Sequence, residues 1–273
     1  MSRVLRKMLI SIFTLFALVQ FCAAAADAEE EVLEMSVMAT VNSDGSVVVT
    51  ESLLVDVEAN TLKNGLTRRF QTIFEGSDGK YRRTRFEVIS STVDGSKVSA
   101  VRDYNGNNIE IKVGNSATIL AFGRRKFDMM YNAQGWIDFG DASDSLTLNL
   151  TGENMEYKVN KLNFSITLPG GASVMGRTMR VGNKTLRDSD VSVRPINYIE
   201  LTKPILPGED FKVTYSWPKG IVTPSKIPIF EQLSLFIDTL STRTIMIIVF
   251  CAAMLLFMCN VVLMYVKKQA SGG

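Results

Sequence analysis

Histidine is absent from the 273 residues. Its absence excludes Ser-His and Cys-His nucleophile systems, His-based zinc sites and an imidazole pH sensor. Any catalysis would have to rest on carboxylates, Ser or Lys. Cysteine is nearly as scarce, with Cys22 near the N-terminus and Cys251 and Cys259 in an apolar run near the C-terminus. The long region between them has none, so no disulfide can staple it. A fold that stands on apolar burial alone favours a sizeable sandwich over a small loop-rich module. A surplus of basic charge is missing too. The formal +2 is set by the two ends, whereas from Asp27 to Arg243 there are 25 Lys and Arg against 28 Asp and Glu. That balance, with the export signal described below, argues against nucleic acid as a partner.

Long uncharged runs are present, and they organise the chain. Ile245 to Val266, IMIIVFCAAMLLFMCNVVLMYV, carries no charge. As an α-helix it would reach ~33 Å, enough to cross a hydrocarbon core of ~30 Å. The competing reading is a wholly buried core helix, which would normally keep a polar face. Here the single polar break is Asn260. At the other end Arg3, Arg6 and Lys7 precede an apolar run from Met8 to Phe21 and then small residues. This pattern predicts a secretory signal peptide over 1–26, cut before Asp27, with a cut after Ala28 also fitting the small-x-small rule and an uncleaved anchor as the alternative. Lys267 and Lys268 follow the apolar run directly, so the positive-inside rule places the C-terminus in the cytoplasm. The expected layout is a leader, an exported domain over 27–222, a linker with a juxtamembrane helix over 223–243, a span over 244–266 and a short tail over 267–273.

Between the two runs the pattern is that of strands. MSVMATV and VVVTESLLVDV flank Asn42 to Ser46, where Asp44-Gly45 suits a tight hairpin. TLKNGLTRRFQTI reads as a loop leading into a short edge strand. YRRTRFEVISSTV and KVSAVRDY flank a turn at Asp94-Gly95, and Asn105 to Asn108 turn into IEIKV. KFDMMYNAQGWIDF reads as one strand with a bulge near Gln134-Gly135. Ser145 to Leu150, KLNFSITL, two short strands around Met179 and Val191, and DFKVTYSW complete the series. Short strands, frequent turn signals and no long amphipathic helix in this region predict an all-β sandwich of one or two lobes followed by one membrane helix. Ile229 to Ser241 repeats apolar residues at helical spacing, and would either lie along the membrane interface or extend the span outward.

The order VNSDGSVVVTESLLV, NGLTRRF, a strand from Tyr131 to Phe139 followed by Asp141, LNLTG, ITLPGG and LPGEDFKVTYSWPKGIV resembles the bacterial predicted-membrane-protein family called domain of unknown function 2207. The resemblance runs from about Glu31 to Val222. It implies the same layout of leader, exported β domain and membrane helix. Two departures stand out. Leu148-Asn149 replaces the family's usual Trp-Asn pair, and the usual tryptophan after the Thr-Gly turn is missing. Family members commonly continue into further membrane and cytoplasmic regions, whereas this sequence ends at KKQASGG.

Candidate site residues follow from chemistry. Arg68 falls on the arginine of the family's Gly-hydrophobic-x-Arg motif, and with Arg69 it could clamp a carboxylate or phosphate; the alternative is an internal ion pair or a clasp on loop carbonyls. Asp138, Asp141 and Asp144 offer three carboxylates for a cation, against the common role of loop aspartates as turn formers. Ser77-x-x-Lys80 matches a serine-lysine dyad, but without its partner motifs and in a turn. Arg68-Arg69, Arg82-Arg83-Arg85 and Arg124-Arg125-Lys126 could converge on an anionic surface or simply be solvated faces. Asn260 could hydrogen-bond another membrane helix, or sit near enough to the interface to stand alone. No cofactor is implied. The sequence therefore predicts a single-pass cell-membrane protein whose extracytoplasmic β domain binds or scaffolds another membrane or envelope protein and is not an enzyme. A second copy of the chain remains open as the partner. The alternatives are an exported enzyme of unfamiliar type, or a sensor signalling through a partner helix.

Overall fold

The computed structural model describes residues 30–58, 62–114, 120–191, 195–224 and 240–270. The expected leader and the amphipathic stretch up to Leu240 lie outside these residues or at their margin. Strands β1 (Glu31–Val41) and β2 (Ser46–Val57) form the first hairpin, and β2 alternates inward and outward along its whole length. Gly45 takes φ +82° in the turn, and the Asp44 carboxylate accepts from the Ser46 amide at 2.9 Å and hydroxyl at 2.7 Å. The Ser46 hydrogen bonds hold the Asp44 carboxyl below its ordinary value.

After a single 3₁₀ turn the chain runs through β3 (Leu66–Gln71), β4 (Ile73–Glu75), β5 (Tyr81–Arg83), β6 (Arg85–Val93), β7 (Ser96–Lys97), β8 (Ala100–Asn105) and β9 (Asn108–Val113). It continues as β10 (Gly123–Gln134), β11 (Ile137–Phe139), β12 (Ser143–Asn149), β13 (Lys158–Val159), β14 (Leu162–Thr167), β15 (Gly176–Val181), β16 (Lys184–Leu186), β17 (Tyr198–Leu201) and β18 (Phe211–Pro218). An eight-stranded sheet has the order β17-β14-β1-β2-β10-β6-β7, with β13 also on β1. A five-stranded sheet runs β11-β12-β18-β15-β16, and β3-β9-β8 and β4-β5 form two smaller sheets. β1 pairs antiparallel with β2 but parallel with β13 and β14, so the large sheet is mixed. Inward residues of all but the smallest sheet, from Val32 to Val222, join one buried cluster. The fold is all-β, as the alternation predicts.

Three expectations need correction, and one strand was not expected. β6 and β7 do turn at Asp94-Gly95, with φ +50° and +79° as a two-residue hairpin needs, but β8 leaves to pair with β9. Gln134-Gly135 is not a bulge within one strand. The backbone turns at Gly135, φ +86°, and passes from the large sheet into the five-stranded one. An added Cβ there would lie 2.5 Å from the Arg83 carbonyl, so glycine is required. Among the described residues near Val191 there is no strand; the second arm after β15 is Lys184–Leu186, followed by a 3₁₀ turn at Asp188–Asp190. β17, which escaped notice in the sequence, forms the outer edge of the large sheet.

Beyond β18 the Thr223 amide donates to the Ser43 carbonyl at 2.9 Å, fastening the departing chain to the β1–β2 turn. The final element is a helix, α1 (Thr242–Ala270), whose Thr242–Val261 stretch is long and apolar enough to cross a membrane.

Candidate functional site

The inward face of β2 reads Val47, Val49, Glu51, Leu53, Val55, Val57, and only Glu51 is charged. The inward face of β3 reads Leu66, Arg68, Phe70, and again one residue is charged. The two charges meet inside the protein. Arg68, 1% exposed, donates from Nε to Glu51 Oε2 at 2.7 Å and from Nη2 to Glu51 Oε1 at 3.2 Å. Nη2 also donates to the Leu150 carbonyl at 2.8 Å, and Nη1 donates to the Thr151 carbonyl. The Tyr131 hydroxyl donates to Glu51 at 2.9 Å. Burial, and then the neighbouring carboxylate, push this phenol well above its ordinary value and keep it a donor.

Arg68 therefore takes the internal ion pair and loop carbonyls that were its alternative role. It fastens the Leu150-Thr151-Gly152 turn onto β3, so two separate sequence motifs, NGLTRRF and LNLTG, are halves of one clasp. Gly152 has φ +78°, and a Cβ there would come within 2.8 Å of the Arg69 carbonyl and 2.9 Å of the guanidinium. The Glu153 amide completes the join with a 2.8 Å bond to the Arg69 carbonyl. Arg69 is half-buried and pairs with Glu110 and Glu156, each at 2.9 Å. The Glu110 bond, against some burial, holds its guanidinium above the ordinary value.

Beside this clasp, on the side of Phe70 and Glu153, lies an open groove of about 290 Å³. Phe70 lies under the Arg68 guanidinium at 5.2 Å and also lines the groove. It stacks on Phe86 with centroids 5.3 Å apart, and the half-buried Trp136 indole stands at 89° to Phe70 and 76° to Phe86. β3 and β4 add Gln71, Phe74 and Glu75. The facing surface is the row Ser145, Thr147, Asn149 on β12 with Lys212 opposite Asn149 on β18. Asn149 donates to Glu153 at 3.0 Å. Lys212 is held by Asp210 at 3.0 Å and Glu153 at 3.7 Å. Burial pulls its ammonium down, but these carboxylates outweigh it and leave the group above its ordinary value.

The three aspartates take separate positions. Asp138 accepts from the Ser77 amide at 3.0 Å and lies 3.6 Å from Arg82, which is clamped by Asp78 through two 3.0 Å bonds. Partial burial pushes the Asp78 carboxyl up, but its contacts with Arg82 and Lys80 together outweigh that and leave it below its ordinary value. Asp141 is exposed in the β11–β12 turn. Asp144 is buried, with the Lys219 ammonium 3.7 Å from Oδ1 and also donating to the Gly140 carbonyl. Burial raises the Asp144 carboxyl above its ordinary value despite Lys219. Among the described residues no three His, Cys, Asp or Glu side chains gather as metal ligands.

The basic clusters do not converge. Arg68 and Arg82 are internal, whereas Arg85 pairs with Gln134 at one end of β10 and Arg124 to Lys126 occupy the other. Ser77 and Lys80 sit in the β4–β5 turn, where the lysine ammonium is 3.7 Å from Asp78. Asn260 donates to the Leu256 carbonyl of its own helix at 2.9 Å. Glu51, Tyr131 and Trp136 were not singled out from the sequence. For Glu51 a signal existed, since it breaks an otherwise apolar inward face.

Comparison with known proteins adds a family and little chemistry. Uncharacterized protein YciQ of Escherichia coli K12 is 25% identical over 223 residues, which is 76% of this chain and 34% of that protein. The chain thus spans about a third of that relative's length. Solved structures with some likeness include native leukotriene A4 hydrolase of Saccharomyces cerevisiae, with TM-score 0.40 and 11% identity over 69% of this chain and 29% of that one. A putative protease from Parabacteroides distasonis has TM-score 0.40 and 15% identity over 71% of this chain and 41% of that one. Likeness at this level carries no statement about activity. The family described as predicted membrane protein (DUF2207) N-terminal domain matches residues 31–215, a span that contains the clasp and every residue lining the groove, and the chain belongs to that family.

Proposed function

We propose that this protein is an interaction module of the bacterial cell envelope. Its β domain is held outside the cytoplasmic membrane on the α1 helix, and the groove between β3–β4 and β12–β18 receives a partner protein. The reading is one of binding or scaffolding and not of catalysis. One observation carries it: the residues of two family motifs spend their chemistry on fixing the groove wall, since Arg68 and Gly152 lock β3 to the β12 end. Sidedness is supported by the leader-like N-terminus and by Lys267 and Lys268 after the span.

The test is site-specific photo-crosslinking in native membranes from Gln71 and Thr147, both exposed in the groove, with Lys97 on the distant β7 as control. The same adduct should form from the two groove positions and not from Lys97. If no reproducible adduct forms from either, the groove does not receive a partner.

A further inference from the structure

The charge and surface of the groove restrict what fits it. Three acids line it, Glu75, Asp138 and Glu153, against the single base Lys212. That lysine is held by Asp210 and Glu153 and offsets them in turn, and Asp138 lies 3.6 Å from Arg82, so the surplus of negative charge rests chiefly on the exposed Glu75. Partner anions would be repelled by the surplus, whereas a neutral sugar could donate hydrogen bonds to the acids but would gain no net charge attraction. The remaining surface is aromatic, with Trp136 and Phe74 half-buried beside Phe70. Aromatic faces next to carboxylates suit a cationic side chain, which gains from the ring quadrupole and from the acids together. β11, which follows Trp136 and carries Asp138, ends the five-stranded sheet, and among the described residues no strand pairs with its other edge. A free edge offers backbone hydrogen bonds to an extended chain. The volume of about 290 Å³ suits one or two side chains of such a segment, not a folded domain.

From these features we infer that the groove takes a basic, extended peptide segment of the partner protein, a Lys or Arg side chain seated against Trp136 among the groove carboxylates. This assignment rests on the interaction-module reading and names the chemistry of its ligand.

The chain has two tryptophans, and Trp217 is fully buried, so ligand-dependent fluorescence reports on Trp136. The full-length protein, in nanodiscs of zwitterionic phosphatidylcholine, is titrated with an acetylated and amidated Lys-Val-Arg-Val-Lys peptide. Its Glu-Val-Glu-Val-Glu counterpart and the trisaccharide chitotriose are titrated in parallel. The basic peptide should shift the emission saturably, more weakly as salt rises, and by about tenfold less affinity in E75K. Glu75 is exposed, so E75K should fold, and retained Trp217 emission checks this. In W136F the signal should vanish. Equal binding of the acidic peptide, a response to chitotriose alone, or no response to any probe would overturn the inference. If crosslinks from Gln71 and Thr147 still form in that event, only the ligand class is wrong; if they fail as well, both readings fall.

Discussion

Replacing Arg68 by methionine should be among the most damaging single changes in the β domain. Methionine keeps much of the volume but strands the Glu51 carboxylate, which is 2% exposed, with only the Tyr131 hydroxyl for a partner. Breaking a buried ion pair from one side costs about 3–5 kcal/mol, because an uncompensated charge remains. The Leu150 and Thr151 carbonyls also lose their donors, at about 1–3 kcal/mol each if water does not reach them. The terms overlap, so about 5 kcal/mol is the expected total, or roughly 10–20 °C in Tm for a domain of this size. Removing both charges in E51L/R68M should be milder than R68M alone by at least about 2 kcal/mol, since no charge is then left buried. The assay is unfolding of the full-length protein in detergent followed by emission of the buried Trp217. Additive losses in the double variant, with coupling below about 0.5 kcal/mol, would refute the claim that the pair is one unit.

Other outcomes follow from the same geometry. G152A should lose about 1–3 kcal/mol in that assay and weaken crosslinking from Thr147, because its Cβ strains a left-handed residue and presses on the clasp. Asp144 has a carboxyl above its ordinary value, so its ionised form opposes folding. As pH falls toward the ordinary value of 3.8 the group takes up its proton first in the folded protein, and the stability of wild type relative to D144N should rise. Asp78, held below 3.8, acts in the opposite sense: its clamp on Arg82 should persist on acidification and fail only below that value, seen as loss of the D78N difference. Joint replacement of Asp138, Asp141 and Asp144 should leave the calcium dependence of stability unchanged, measured by Tm with calcium and with chelator. In N260L the crosslinked adduct should form as before, since the Asn260 amide already bonds its own helix; loss of the adduct would place a partner helix there.

The fold was legible where period-two alternation is strict, as in β2, β10 and β18, and where Asp-Gly turns set the hairpins. Pairing between distant segments was not. Nothing local to Glu31–Val41 announces a parallel partner at Leu162–Thr167, and the crossing at Gly135 resembles a bulge until both sheets are in view. Arg68 was found by motif, but its role was decided by Glu51, an acid on a facing strand whose position only the fold reveals. The groove was invisible for the same reason, because Phe70, Trp136, Asn149 and Lys212 lie far apart in the chain.

The way the chain leaves the domain sets how it bears load. β18 lies in the middle of its sheet, bonded to β12 on one side and β15 on the other, and Thr223 is pinned to the β1–β2 turn. Among the described residues, tension on the chain beyond β18 meets this pin and then a central strand whose two ladders must shear together rather than unzip one bond at a time. A tether rooted at an edge strand would peel, whereas one rooted in a central strand resists.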